Sequence, residues 1–566
     1  MFRHVCFIFC FLTAFSLASA EIGNEFFRAE VSLAEGGHLN KVILPGGFPA
    51  GKFGYARVYN TRAVDSLKKI SARPADNGFI TAGQEDILAG LELAARFDAP
   101  AGRAALEVQY TFTNRTGKDK KTGFTIQNFS GEKDGESVWF FPHDDGIYSL
   151  KRPFKELDFW LYHPADRWCA VSSSSGEGVV LLLEDKPQCF YMWLSKRNPP
   201  TVEWRQPVKV LAPGASHVEK FTVIPFRGLK KVSGAGKDIV GELKPGGAGI
   251  FAAVPGQWSF RTLKSDGKIA ESGKFTAAAA GSVVEVKTSK PFNIMEILDG
   301  DQVIARLQQE FAVQDIPDVP EYVSTDLWYG YVRRNFMVNG KKAWVVLPKK
   351  AADGKPWSWC MEFPTAFVER CAAFQLLDNG YHHANIKVGN TFGAPEAQKS
   401  FRMFYDLLQR LKLKEKGVLI GISRGGLYAY RFASENPDTV SVIYGDAPVC
   451  DFRSWPGPFG KYGGSKGDWR LLKKLYGFKS DEEAKKYPGN PVDILDRLDP
   501  EKIAIIHVIG LDDKVVPPAE NTYILAERWR KLGGKIKIIT KEKCGHHPHG
   551  LEDSAETVNF ILENNK

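Results

Sequence analysis

The sequence predicts a doubly wound α/β domain at the carboxy-terminal end of the chain, preceded by two all-β, sandwich-like domains. Three observations carry this expectation. After Asp326, short apolar runs alternate with longer helical stretches, the grammar of a mostly parallel sheet covered on both faces. From 21 to 228, apolar and polar residues alternate over short runs broken by turn residues, and helical period is almost absent. Between these, 229–312 alternate again, with Gly, Pro and Asp at the turns. At 566 residues the chain is too long for a single hydrophobic core.

In order along the chain, "MFRHVCFIFCFLTAFSLASA" offers Arg3 and His4, an apolar run, then the small residues Ala18-Ser19-Ala20. That layout reads as a signal peptide over 1–20, cleaved after Ala20, and predicts a secreted or periplasmic protein. No later run is long and apolar enough to span a membrane. The 21–228 segment, with "LEVQYTFTNRTG" and "GEGVVLLLEDKPQCFYMWL", reads as a large antiparallel accessory sandwich. No repeat of blade length is visible, which disfavours a propeller. A small Ig-like β domain is expected over 229–312, and "QDIPDVPEY" reads as part of a stiff linker over 313–325. The α/β domain then occupies 326–566. Its opening hairpin turns at Asn339-Gly340 and supplies an antiparallel edge.

The formal charge of +9 is spread among both signs, with no long basic run, and excludes no class except a dedicated nucleic-acid binder. Solvated surface lysines explain it; an anionic polymer such as a uronate polysaccharide is the alternative. Six cysteines remain beyond the leader, too sparse for a disulfide scaffold, although Cys169 and Cys189 flank what reads as a hairpin. Neither a cofactor nor a metal is expected: "HHPH" lacks the carboxylate or cysteine spacing that would complete a site. "PHDDG" reads as a turn with a capping aspartate.

The chemistry concentrates in "VLIGISRGGLYAY". An apolar strand ends at Gly421, Ser423 follows, and a helix rich in small residues begins at once. Glycines on both sides let the backbone turn sharply enough to present the serine Oγ at the carboxyl edge of the sheet. The following helix directs its free N–H groups at the same point. A serine needs a base and the base an orienting acid. "LDDKVVPPAEN" offers Asp513 after one strand, and "KEKCGHHPHGLEDSAE" offers His546 after the last, with His549 and Asp446 as alternatives for base and acid.

Together, "GISRGG", "DDKVVP" and "GHHPHGLE" resemble the α/β-hydrolase superfamily over 326–566. The resemblance implies Ser423 as nucleophile, Asp513 as acid and His546 as general base. Its oxyanion hole would use the backbone N–H of Arg424 and, because no HGGG-like stretch is present, one from Met361, Glu362 or Phe363, with Glu362 taken as the donor. The elbow "SRGG" is also similar to that of glucuronoyl esterases, with Ile422 where those carry cysteine. That implies a second role for Arg424, either at the oxyanion or on a substrate carboxylate, against an ordinary ion pair within the fold. The long insertion over 451–500 brings Trp455, Tyr462 and Trp469 towards the same edge; with Trp357 and Trp359 these are expected to stack on sugar rings.

These readings predict a secreted serine hydrolase acting on ester groups of polysaccharides or their fragments. A prolyl-oligopeptidase-like peptidase is the alternative, and a non-catalytic carbohydrate-binding protein a second one.

Overall fold

The computed structural model describes residues 19–32, 38–43, 49–59, 72–75, 78–81, 90–130, 136–151, 157–194, 200–312 and 316–565. Most of the leader expected over 1–20 lies outside the described residues, as does 313–315 of the expected linker. The chain divides into two compact units, Met1–Ala312 and Val313–Lys566. Among the described residues no helix is long and apolar enough to cross a membrane.

Antiparallel sheet makes up the first unit. Two nine-stranded sheets face one another, and two four-stranded sheets follow in the chain. The alternation seen in the sequence sets which side chains face inwards: Leu106–Asn114 buries every second residue. Phe112 from one large sheet meets Phe124 from the other at 4.7 Å between ring centroids. The small sheets close on Ile250, Trp258, Phe260 and Ile297. A further buried cluster, with Phe140, Trp168 and Ile224 on one side and Val240 and Phe251 on the other, joins the large and small sheets. Cys169 and Cys189 lie on strands of different large sheets, and both are free thiols. The expected hairpin does form between them, Trp168–Ser172 pairing antiparallel with Glu177–Leu183, but the two cysteines do not bond. His143 and Asp145 close the "PHDDG" turn, where His143 Nδ1 accepts the Asp145 N–H at 3.1 Å.

The second unit is built on one nine-stranded sheet. Its strands in chain order are β1 (Tyr322–Trp328), β2 (Tyr331–Val338), β3 (Lys341–Val346), β4 (Trp357–Glu362), β5 (His382–Ile386), β6 (Gly417–Ile422), β7 (Val440–Asp446), β8 (Ala504–Gly510) and β9 (Ile536–Lys541). They lie side by side as β1-β2-β3-β5-β4-β6-β7-β8-β9. The first three are antiparallel, with the β2–β3 turn at Asn339-Gly340, and the pairs from β4 onward are parallel. Parallel neighbours require crossovers. Helices α1 (Ala373–Asp378), α2 (Pro395–Arg410), α3 (Gly425–Glu435) and α6 (Thr522–Lys531) supply crossovers, and α7 (Ala555–Asn564) follows the last strand. The insertion between β7 and β8 holds α4 (Lys466–Tyr476) and α5 (Asp481–Lys485).

β6, β7 and β8 are buried at every position, which explains their uninterrupted apolar runs. Helices α2 and α3 cover one face around Trp359, Phe401, Phe404 and Phe432. Helices α1 and α7 cover the other, over Ile420, Val442 and Ile506. Strand order reverses between β4 and β6, so the carboxyl ends of these strands open the crevice where the site lies.

Candidate active site

Ser423 follows β6 directly. Its φ is 52°, in the left-handed region that a serine occupies only when its surroundings hold it there. Three bonds hold it. Its N–H donates to the Asp446 carbonyl at 2.8 Å, and its own carbonyl accepts from Val449 N–H at 2.9 Å and Gly426 N–H at 3.0 Å. Two glycines make the turn sterically possible. A Cβ on Gly421 would stand 2.9 Å from the Gly425 carbonyl oxygen, and one on Gly426 would stand 2.7 Å from that of Val449. Helix α3 starts at Gly425, with Arg424 at its N-cap, so the Arg424 amide is among those the helix leaves unbonded.

The loops after β8 and β9 bring the predicted acid and base to this serine. Ser423 Oγ lies 2.9 Å from His546 Nε2, and His546 Nδ1 lies 2.8 Å from Asp513 Oδ2. Asp513 is buried, and its other oxygen accepts the N–H groups of Val515 and Val516 at 2.8 and 2.9 Å. That cradle holds the carboxylate rigid and keeps one oxygen for the imidazole. A carboxylate on Nδ1 fixes the proton there and leaves Nε2 to accept the serine hydroxyl. Asp512, its neighbour, is exposed.

His549 and Asp446, the alternatives in the sequence, are bonded to each other. His549 Nδ1 lies 2.7 Å from Asp446 Oδ1, while Asp446 Oδ2 accepts Gly550 N–H at 2.8 Å and the Tyr444 hydroxyl at 3.0 Å. Asp446 is wholly buried. The sequence held both residues but no signal for their pairing, because it depends on β7 and the loop after β9 ending at the same rim.

Glu362, at the end of β4, stands beside the elbow, its Cβ 3.3 Å from the position a Cβ on Gly425 would take. Its side chain is engaged: Arg424 donates to Glu362 Oε1 through Nε at 3.0 Å and through a terminal nitrogen at 2.8 Å. Burial pushes the Glu362 carboxyl up from its ordinary range, and the Arg424 bond opposes that rise. The guanidinium also lies over Phe363 at 4.7 Å and over Phe392 at 5.9 Å from the ring centroids. Phe392 in turn approaches Trp455 at 6.2 Å. Trp455 lines a cavity of about 270 Å³ with Ser454, Tyr462, Lys514, Val515 and Glu520, built on the loop that carries Asp513.

Three expected sugar platforms are corrected. Trp357 and Trp359 are fully buried on β4 and face the helices rather than the crevice. Trp357 donates to the Lys414 carbonyl at 2.6 Å, and Trp359 packs edge-on to Phe404 at 4.9 Å. Their spacing of two puts both on one side of a strand covered on both faces, so the alternation marks core rather than rim. Trp469 is buried as well and donates to Asp481.

In the loop after β9, one ring nitrogen from each of His546, His547 and His549 lies within 4.8 Å of the others. His547 is exposed, and its imidazole is held below the ordinary histidine value by partial desolvation and by its two histidine neighbours.

No protein-family model matches the chain, and no curated protein matches it in sequence. Solved structures similar to part of the chain include esterases, lipases and an acetyl xylan esterase. Est1E from Butyrivibrio proteoclasticus is 16% identical, with 41% of this chain and 98% of that chain covered and a TM-score of 0.32. An S-formylglutathione hydrolase from Agrobacterium tumefaciens is 12% identical over 43% of this chain and 96% of that one, with a TM-score of 0.31. Acetyl xylan esterase 1 from Thermoanaerobacterium sp. JW/SL YS485 is 14% identical over 42% and 84%, with a TM-score of 0.30. The likeness is partial.

Proposed function

We propose that this chain is an exported serine hydrolase of the carboxylic-ester class, acting on ester groups of polysaccharides or their fragments. One observation carries the reading: the unbroken sequence of contacts from Ser423 Oγ through His546 to Asp513, at 2.9 and 2.8 Å. In this mechanism His546 Nε2 takes the hydroxyl proton as Ser423 Oγ bonds to the ester carbonyl carbon. The carbonyl oxygen, now negative, is held by the Arg424 N–H and a second amide from the end of β4, with Glu362 the proposed donor. His546 returns the proton to the leaving alcohol, leaving an acyl-serine. A water, deprotonated by the same imidazole, then releases the acid and restores the serine.

The carbohydrate part of the reading rests on the half-buried Trp455 and the exposed Tyr462 beside the cavity, with Lys514 and Glu520 on its wall. Export rests on the 1–20 leader in the sequence. Because Arg424 is already bonded to Glu362, a substrate carboxylate has to share that guanidinium and not find it free. The test is an active-site fluorophosphonate probe followed by a panel of acetyl, feruloyl and uronate methyl esters. Labelling of the wild type that vanishes in Ser423→Ala, with turnover of at least one ester class, is the expected result. Absence of labelling on folded wild type overturns the reading.

A further inference from the structure

The three histidines after β9 have a geometry that the proton relay does not need. His546 serves Ser423, yet His547 and His549 crowd against it, with ring centroids 5.0 and 4.9 Å away and 4.8 Å between the two. Two of the three rings are each tied through Nδ1 to a carboxylate, His546 to Asp513 and His549 to Asp446. An imidazole whose Nδ1–H is held by a carboxylate presents a fixed, electron-rich Nε2, the arrangement found behind metal-ligating histidines. His547 carries no such tie. Being exposed, it has the freedom to turn its ring towards the other two.

We propose that His546, His547 and His549 form a binding site for a divalent transition-metal ion, zinc or a metal of similar preference, and that its occupancy switches the hydrolase off. Three imidazoles and a water make a familiar tetrahedral set, and the borderline-soft character of nitrogen favours zinc, copper or nickel over magnesium or calcium. Zinc–nitrogen bonds of about 2.0–2.1 Å set tetrahedral ligands about 3.4 Å apart. The ring nitrogens here lie within 4.8 Å of one another, so closure shortens their separations by up to about 1.4 Å, with His547 supplying most of the motion. The two carboxylates behind the rings balance the charge of the ion. Coordination uses the His546 Nε2 lone pair, the same one that accepts the Ser423 hydroxyl. Metal and serine therefore compete for one atom: while the metal is bound, the serine has no base. Binding itself rests on the histidine geometry alone. Only the effect on turnover rests on the hydrolase reading above.

The experiment separates the two. Calorimetric titration of the full chain with zinc chloride is compared for wild type, Ser423→Ala, His547→Ala and Cys544→Ser. The last is included because that thiol lies 3.7 Å from the His547 carbonyl and is partly exposed. One site is expected in wild type. In Ser423→Ala its affinity is equal or tighter, since the competing hydroxyl is gone. In Cys544→Ser it is unchanged, and in His547→Ala it is at least tenfold weaker. Cobalt(II) added to Ser423→Ala is expected to give the visible absorption of a tetrahedral nitrogen site. Ester hydrolysis is then measured with zinc and with a chelator. Zinc inhibits wild type reversibly, while His547→Ala keeps basal turnover and requires at least tenfold more zinc for half-inhibition. Binding that survives His547→Ala, or that disappears in Cys544→Ser, overturns the site. Binding as expected with turnover unaffected by zinc overturns the switch and leaves the site. Failure of the hydrolase reading shows separately, as absent fluorophosphonate labelling.

Discussion

Replacing Asp446 by alanine separates the roles of the two histidine–aspartate pairs. Asp446 is wholly buried and satisfies three donors: His549 Nδ1–H, Gly550 N–H and the Tyr444 hydroxyl. Removing the carboxylate strands all three in a site with little water. Each unsatisfied buried group costs about 1–3 kcal/mol, and partial relaxation brings the total to about 3–5 kcal/mol. That is a large part of the 5–15 kcal/mol by which a typical domain is stable. Asp513 differs. Its carboxylate faces the base, and Asp513→Asn keeps the shape while imposing the wrong tautomer on His546, a loss in kcat of about 10⁴-fold by analogy with other triads. Urea unfolding and ester turnover, measured on both variants, give opposite expectations. Asp446→Ala loses stability first and retains most of its kcat per folded molecule; Asp513→Asn stays folded and nearly inactive. Should Asp446→Ala remain as stable as wild type and lose 10⁴-fold in kcat, the assignment of acid and anchor is reversed.

Two further outcomes follow from the same unit. Because Ser423 sits at φ 52°, Ser423→Gly is expected to unfold at a higher temperature than Ser423→Ala, by the equivalent of about 1 kcal/mol, as read by calorimetry; an equal or lower midpoint refutes strain at the elbow. Burial lowers the imidazole of His382 to about 4 and those of His383 and His507 to about 3, so all three are neutral in the folded chain and take up protons only on unfolding. The unfolded state then binds more protons below its own pKa near 6.5. Stability is complete above that value and is lost as pH falls towards 4, by about 1.4 kcal/mol per pH unit for each histidine and about 4 kcal/mol per unit for the three. Urea midpoints at pH 7, 6 and 5 test this, and a flat series refutes it.

Local pattern carried much of the second unit. The "GISRGG" turn, the aspartate after β8 and the histidine after β9 are each written within a few residues, because a sharp turn needs its glycines next to the serine and a sheet edge needs its strands to end. What local pattern missed is long-range. Trp357 and Trp359 read as a rim only until α2 and α3 are known to cover that side of β4. Cys169 and Cys189 read as flanking a hairpin, and one does form between them, but strand pairing puts the two cysteines in different sheets. The Glu362–Arg424 bond spans the ends of β4 and β6, which only strand order brings together. Arg424 was legible as important, and its partner was not.

The loop from Gly545 to Gly550 is moored at several points. His546 is held by Asp513, His549 and Gly550 by Asp446, the His549 carbonyl by Arg370 at 2.8 Å, and the Pro548 carbonyl by Lys541 at 2.6 Å. A histidine fastened this way has no stroke: it cannot swing away from Ser423 and then return. Any breathing that turnover requires is left to the facing insertion over 451–500. Rigidifying that segment, rather than the histidine loop, is where an engineer seeking to slow product escape would begin.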